Sequence, residues 1–268
     1  MNNEIIKNNT ISDSKIKKEM HNLLTKFITL RNQGYIKSTS KGTSGVGITF
    51  ENYLGKKADS SSTPDYYGIE IKTKRAYSKS FITLFGISPH GKTTNEAQRL
   101  LNDYGYHKKN NQYTKCLYSE VVVNTLNKAG IKHYFKLRLD YDKKSIFLQI
   151  YNQQKQLIDE SSYWLFSDIE SRLYRKLTYL AYILAWPKFI NGEEYFKYYD
   201  IKFYVLKDFS NFLDLLEKGH IKVIIALNNT ISNKNSNQLQ AHKISFSLDP
   251  MYLSNLFYIY HIQKDILL

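Results

Sequence analysis

The chain has few of the residues that staple or stiffen a backbone. Its 268 residues include one cysteine, Cys116, and four prolines. A single cysteine excludes an intrachain disulfide and makes a structural zinc site of the usual cysteine-rich kind untenable. Cys116, followed by Leu117 and Tyr118, reads as a small core residue. Long apolar runs are also missing: none approaches the roughly 18 residues that span a bilayer. The opening residues Met1-Asn2-Asn3-Glu4 lack the charged-then-apolar pattern of a secretion signal. The expectation is a cytoplasmic protein with no membrane partner. Negative charge is scarce as well, with 24 acidic against 38 basic side chains and a formal net charge of +14. A field of that sign draws polyanions, either nucleic acid or an anionic membrane surface.

Hydrophobic residues make up 42 % of the chain, enough for a sizeable core. At roughly 100–200 residues per domain, the length allows one large domain or two small lobes. Ile16, Met20, Leu23, Leu24, Phe27 and Ile28 recur at helical spacing and predict a first helix. A loop rich in Gly and Ser follows over 38–47, then a short helix over 49–54 stopped by Gly55. Residues 68–73 alternate strictly between apolar and charged, the signature of a strand. A second strand over 80–85 is placed to pair with it. Further strands are expected over 113–123, 134–140, 145–151, 199–206, 221–227 and 240–248. Thr93-Thr94-Asn95-Glu96 and Ser167-Asp168-Ile169-Glu170 read as capping boxes. The second predicts a long helix that runs through Leu184 to Pro187. A helix over 211–218 and a closing helix from Pro250 complete the reading: an α/β body with a boundary near Pro187.

Chemistry concentrates in Pro64-Asp65-Tyr66-Tyr67-Gly68-Ile69-Glu70-Ile71-Lys72. Glu70 and Lys72 lie two apart on a strand, so their side chains leave one face. Asp65 sits just before that strand, with four residues between it and Glu70, enough for a turn to bring both carboxylates to one ion. Hard cations such as magnesium take a few carboxylates plus water and phosphate oxygens. A cation there polarises a phosphate and acidifies a bound water, and Lys72 can orient that water and offset developing charge. Alone, such an alternation equally describes a solvated strand face. Three features add to it. Glu51 on the short helix is within reach of the same cation. Lys41, Gly42, Gly45 and Gly47 form a loop whose N–H groups suit a phosphate chain. Lys72, Lys74 and Arg75 lead directly to Lys79, as suits a strand lying along a DNA backbone.

The run from Thr43 to Gly55, with Glu51 inside it, followed by Pro64-Asp65 and Gly68-Ile69-Glu70-Ile71-Lys72-Thr73, resembles the MvaI/BcnI group of restriction endonucleases. MutH and Sau3AI share a related G-x-G…L-E…L-G…D…G-x-E-L-K-T pattern. The match is strongest over residues 41–86. The resemblance implies a PD-(D/E)xK restriction-endonuclease-like core, a mixed β-sheet flanked by helices, with two lobes around a DNA-binding cleft. It implies catalysis by Glu51, Asp65, Glu70 and Lys72, with Asp65, Glu70 and Glu51 holding Mg2+ for which Mn2+ can substitute. In this reading residues 1–186 form the catalytic lobe and 187–268 the DNA-recognition lobe, unless the two are one domain. The substrate is double-stranded DNA, cut at a short specific sequence by a prokaryotic monomer whose genetic partner is a cognate DNA methyltransferase.

DNA contacts are expected from Lys41, Lys74, Arg75, His90, Asn229, His242 and Lys243. His242 takes the place of a histidine that the group carries before a base-facing strand, though without the group's preceding Asp or following Gly. An exposed strand residue is the competing reading of His242, and a turn histidine that of His90. The Asn- and Gln-rich segment 228–240 suits adenine edges. Two other functions stay open on sequence: a MutH-like strand-nicking repair enzyme, and a non-catalytic DNA-binding protein on the same basic surface.

Overall fold

In a computed structural model the described residues are 13–55, 63–108, 111–230 and 239–262, with the backbone alone described at 108, 111–114, 230 and 239–242. The elements in chain order are α1 (Ser14–Asn32), β1 (Ile36–Lys37), α2 (Gly45–Tyr53), β2 (Glu70–Arg75), β3 (Ile82–Gly86), α3 (Glu96–Tyr104), β4 (Tyr106–Lys108), β5 (Asn111–Val121), β6 (Asn127–Ala129), β7 (His133–Asp140), β8 (Ser145–Tyr151), β9 (Leu157–Leu165), α4 (Phe166–Leu177), β10 (Tyr179–Ile190), β11 (Glu193–Leu206), α5 (Phe209–Glu217), β12 (Ile221–Thr230), β13 (Leu239–Leu248), α6 (Leu253–Leu256) and β14 (Phe257–Tyr260). They form two compact units. The first takes the chain up to Ser80, then Tyr174–Lys207, then the chain from Phe257. The second takes Phe81–Leu173 and Asp208–Leu256. Each unit is thus assembled from separated stretches, and Pro187, where sequence reading set a boundary, lies inside β10 of the first.

The first unit is built on a mixed sheet in the order β1-β11-β10-β2, with β14 also on β11. β10 pairs parallel with β2 and antiparallel with β11. α1 covers one face. Its start is fixed by Asp13, whose side chain accepts from the N–H groups of Lys15 and Ile16. Ile16, Met20, Leu23, Phe27 and Leu30 then fall on one stripe and are buried with Ile69, Ile71, Ala181, Ile183, Phe196 and Phe203. The second unit holds two sheets, β3-β13-β12-β5-β4 and β6-β7-β8-β9. Phe85, Phe212, Phe246 and Trp164 fill its core.

Four sequence expectations need correction. The helix expected through Leu184 ends at Leu177, and β10 begins at Tyr179. The run Leu180 to Ala185 is apolar without a break, and all of it but Leu184 is buried. A strand between two partners buries both faces, and an amphipathic helix does not. Pro187 is tolerated because β2 ends at Arg75, opposite Ala185. Beyond that level β10 is paired only with β11, and the missing N–H interrupts no ladder toward β2. The strand at 82–86 pairs with β13 rather than with β2. The short helix starts at Gly45, not Thr49, so Gly45 and Gly47 are helical. The closing helix from Pro250 is a 3-10 turn and one turn of α-helix, followed by β14. No helix among the described residues is long and apolar enough to cross a membrane.

Candidate active site

The spacing of Asp65 and Glu70 is explained by a two-residue turn. Tyr66 and Ile69 exchange both backbone hydrogen bonds, at 2.9 and 2.8 Å. Tyr67 and Gly68 between them take φ of 42° and 93°, the left-handed pair that a tight hairpin requires. Gly68 suits this position because positive φ costs it nothing. The turn folds Asp65 back beside the start of β2, where its Oδ2 accepts the N–H of Ile71 at 3.1 Å. The two carboxylates are therefore neighbours, close enough for the charge of Asp65 to act on Glu70.

Glu70 is 1 % exposed. Lys72 Nζ donates to its Oε1 at 2.6 Å, and Lys176 Nζ, on the last turn of α4, lies 3.5 Å from the same atom. Oε2 is buried and has no hydrogen-bond partner. Burial pushes the carboxyl above its ordinary range, with Asp65 adding to that and Lys72 and Lys176 opposing it. A buried carboxylate oxygen so placed suits a cation as its partner. Two adjoining carboxylates with one orphaned oxygen form a hard-donor site that fits a small divalent ion. Tyr182 stands opposite Lys72 in the parallel register of β10. Lys176 was missed by sequence reading because nothing in the local pattern of α4 signals that its last turn reaches β2.

α2 lies against β2. A Cβ on Gly47 would meet Thr73 Oγ1 at 3.2 Å and Glu51 Oε1 at 3.8 Å. Glu51, one turn after Gly47, is thus on the helix face toward β2, on the side of Thr73. Among the described residues no group of three His, Cys, Asp or Glu is assembled to hold a metal ion. The expected three-carboxylate set of Glu51, Asp65 and Glu70 is therefore not closed in this structure, where Asp65 and Glu70 are neighbours.

The expected DNA contacts divide. Lys41 lines a cleft of about 860 Å3 with Gly42, Thr43 and Thr73. Arg75 is committed elsewhere. It forms a fork with Glu194 at 2.7 and 2.8 Å and donates to the carbonyls of Thr43 and Gly42 at 2.6 and 2.8 Å. Its guanidinium also covers Phe196. Lys74 is buried, with Nζ donating to Ser80 O at 2.8 Å. Arg75 thus braces the 42–43 loop against β2, and Lys74 ties the strand to Ser80. His90 is exposed, stacks on Tyr163 and contacts Asp168 through Nε2 at 2.7 Å. Asn229 is buried on β12, with Oδ1 lacking a partner. Lys243 is exposed and donates to Thr83 Oγ1 at 3.2 Å. The backbone of His242 pairs with Leu227, while its side chain and residues 231–238 of the Asn-rich segment lie outside the described part.

A helix-flanked mixed sheet with Glu70 and Lys72 on one hairpin-fed strand and Asp65 just before the hairpin defines a restriction-endonuclease fold of the PD-(D/E)xK type. The model of the MvaI/BcnI restriction endonuclease family matches residues 24–257, and the chain belongs to that family. Among solved structures it is similar to restriction endonuclease MvaI in complex with its cognate DNA, with 29 % identity over 91 % of this chain and 99 % of that one and a TM-score of 0.82. MvaI in the absence of DNA is 27 % identical over 92 % and 98 % of the two chains, with a TM-score of 0.58. No curated protein matches the chain significantly.

Proposed function

We propose that this chain is a type II restriction endonuclease that hydrolyses phosphodiester bonds of double-stranded DNA at a short specific sequence with Mg2+, acting as a cytoplasmic prokaryotic monomer whose genetic partner is a DNA methyltransferase. The observation that carries the reading is buried Glu70, its Oε2 partnerless and its Oε1 held by Lys72 and Lys176, next to half-buried Asp65. Asp65 and Glu70 are the residues that hold the divalent ion, with Glu51 as a further carboxylate on α2. When bound, the ion supplies Lewis acidity toward the scissile phosphate and acidifies a water. Glu70 fixes the Lys72 ammonium through Oε1 and so sets where that charge lies before DNA arrives. Lys72 donates to the attacking water or to a phosphate oxygen as negative charge grows on it. Lys176 shares Glu70 Oε1 and supplies a second cation whose charge opposes the upward push of burial on the carboxyl. Lys41 and Lys243 are the expected contacts to the backbone or bases.

The test is digestion of a sequenced viral DNA by purified protein with magnesium and with EDTA. Discrete fragments with magnesium alone, lost on Lys72→Ala while DNA binding persists, are the expected result. Cleavage by Lys72→Ala at the wild-type rate removes the mechanism. Inactivity of the wild type without a second protein would replace it with a gated nicking enzyme.

A further inference from the structure

Three aromatic side chains, Tyr77 exposed and Trp186 and Tyr199 half-buried, form a cluster that the catalytic arrangement does not use, with Tyr77 tilted 58° against Trp186. Tyr77 and Trp186 have ring centroids 4.8 Å apart, and Trp186 and Tyr199 are stacked at 4.9 Å with 27° between planes. Irregular backbone builds it. Tyr77 takes φ of 62°, which is uncommon for a bulky residue, and is 87 % exposed. The pairing of β10 with β11 shifts so that Leu184 faces Asp200 but Ala185 faces Tyr198. That shift leaves Tyr199 as the extra residue of a bulge, a device that re-aims a side chain. Tyr198 points into the core with its hydroxyl on Val46 O, so Tyr199 leaves on the opposite face, toward Trp186.

That face is the reactive one. Leu180, Tyr182 and Leu184 stand opposite Glu70, Lys72 and Lys74, and Trp186 continues the same alternation. Tyr182 and Trp186 are four positions apart, about 13 Å at the rise of a strand and about four base-pair steps of DNA. Stacked rings present a π-face to a base and accept any sequence.

We propose that Tyr77, Trp186 and Tyr199 form a stacking platform for a nucleobase that has left the duplex stack about four steps from the cut phosphate. The proposal rests on the DNA reading above. The probes are (dT)20 and a fully paired random 20-base-pair duplex, both in EDTA, with tryptophan emission and affinity measured for the wild type, Trp186→Phe and Tyr77→Ala. Trp164, the other tryptophan, is 1 % exposed and donates to Ile87 O, so it gives a silent background. Quenching by (dT)20 that disappears in Trp186→Phe is expected. So is a roughly 5- to 150-fold loss of (dT)20 affinity in Tyr77→Ala, with duplex affinity within twofold. Tyr77 is so exposed that its truncation leaves the melting temperature unchanged, which the same samples report. No quenching by (dT)20 while the duplex binds, or equal losses for both probes, overturns the platform alone. Binding of neither probe removes the DNA reading and the platform with it.

Discussion

Two buried acid–base clusters, one in each unit, use the same residue types to opposite ends. In the second unit Arg99 donates to Glu96 at 2.7 Å, to Asp159 at 2.9 Å, and to Ser161 and Ser162 at 3.2 and 3.0 Å. Tyr104 adds a bond to Asp159, and Ser162 one to Glu96. Burial alone would raise both acids, but these hydrogen bonds and the guanidinium charge outweigh it and hold Glu96 and Asp159 below their ordinary range. Glu70 in the first unit is buried as deeply, has one oxygen partnerless, and is raised. A saturated cluster stabilises the fold. An unsaturated one costs stability and keeps a place for a ligand.

The largest effect should come from breaking the saturated cluster. Arg99→Ala takes the guanidinium from two buried carboxylates, of which Asp159 keeps Lys92 at 3.4 Å, and should cost about 3–5 kcal/mol. Denaturant midpoints of wild type and variant measure it. A loss below 1 kcal/mol would show that the network is not what holds this part together.

Glu70→Gln should do the reverse. Cleavage should fall by about 10²–10³-fold, the scale for removing one preorganised electrostatic group. Stability at neutral pH should stay level or rise, because a neutral amide removes the desolvated charge. Single-turnover cleavage and a melting curve on the same preparation check both. A destabilised Glu70→Gln would place Glu70 with the structural acids and end the contrast.

The difference between the two clusters was only partly legible in sequence. Asp65, Glu70 and Lys72 were readable because a turn and a strand confine the triad to eight residues, and local geometry suffices. Lys176 and Glu194 were not, since each meets its partner through pairing between segments over a hundred residues apart. Local periodicity located α1 and β7 well, because each has one dry face and one wetter one. It failed on β10, where burial on both faces erases the period-2 signal and leaves a spacing that a helix also satisfies. The pairing of β3 with β13 instead of β2 is a non-local choice that no window of a few residues contains.

Acid should separate the clusters by sign. Glu96 and Asp159 have folded values below the unfolded ones of roughly 4. Their contribution is complete above that pH and is lost as pH falls through the lowered values. Glu70 has a folded value above the unfolded one, so its cost is complete above the raised value and is relieved as pH falls through it. The stability gap between Glu70→Gln and wild type should therefore shrink from neutral pH toward acid. The gap for Glu96→Gln, which is destabilised at neutral pH, should persist to about pH 4 and close only below it. Urea midpoints across pH 3–8 read both, and a pH-independent Glu70→Gln gap would mean that its charge is not what the fold resists.

The smallest expected effect concerns Arg75, the residue that sequence placed on DNA and the structure places under the 42–43 loop. Arg75→Lys keeps the charge but loses the fork to Glu194 and at least one of the two carbonyl bonds. The expected cost is about 1–2 kcal/mol of stability, in the range for lost hydrogen bonds to a charged group. If Arg75 is a strut, DNA affinity at fixed salt should change by less than twofold, and the slope of affinity against salt should not change. A phosphate contact would differ in the alanine variant, where Arg75→Ala would flatten the slope by about one. Flattening in Arg75→Ala without a fall in melting temperature would return Arg75 to the DNA surface. It would also mean that an orphaned oxygen is not the only mark separating working residues from structural ones in this fold.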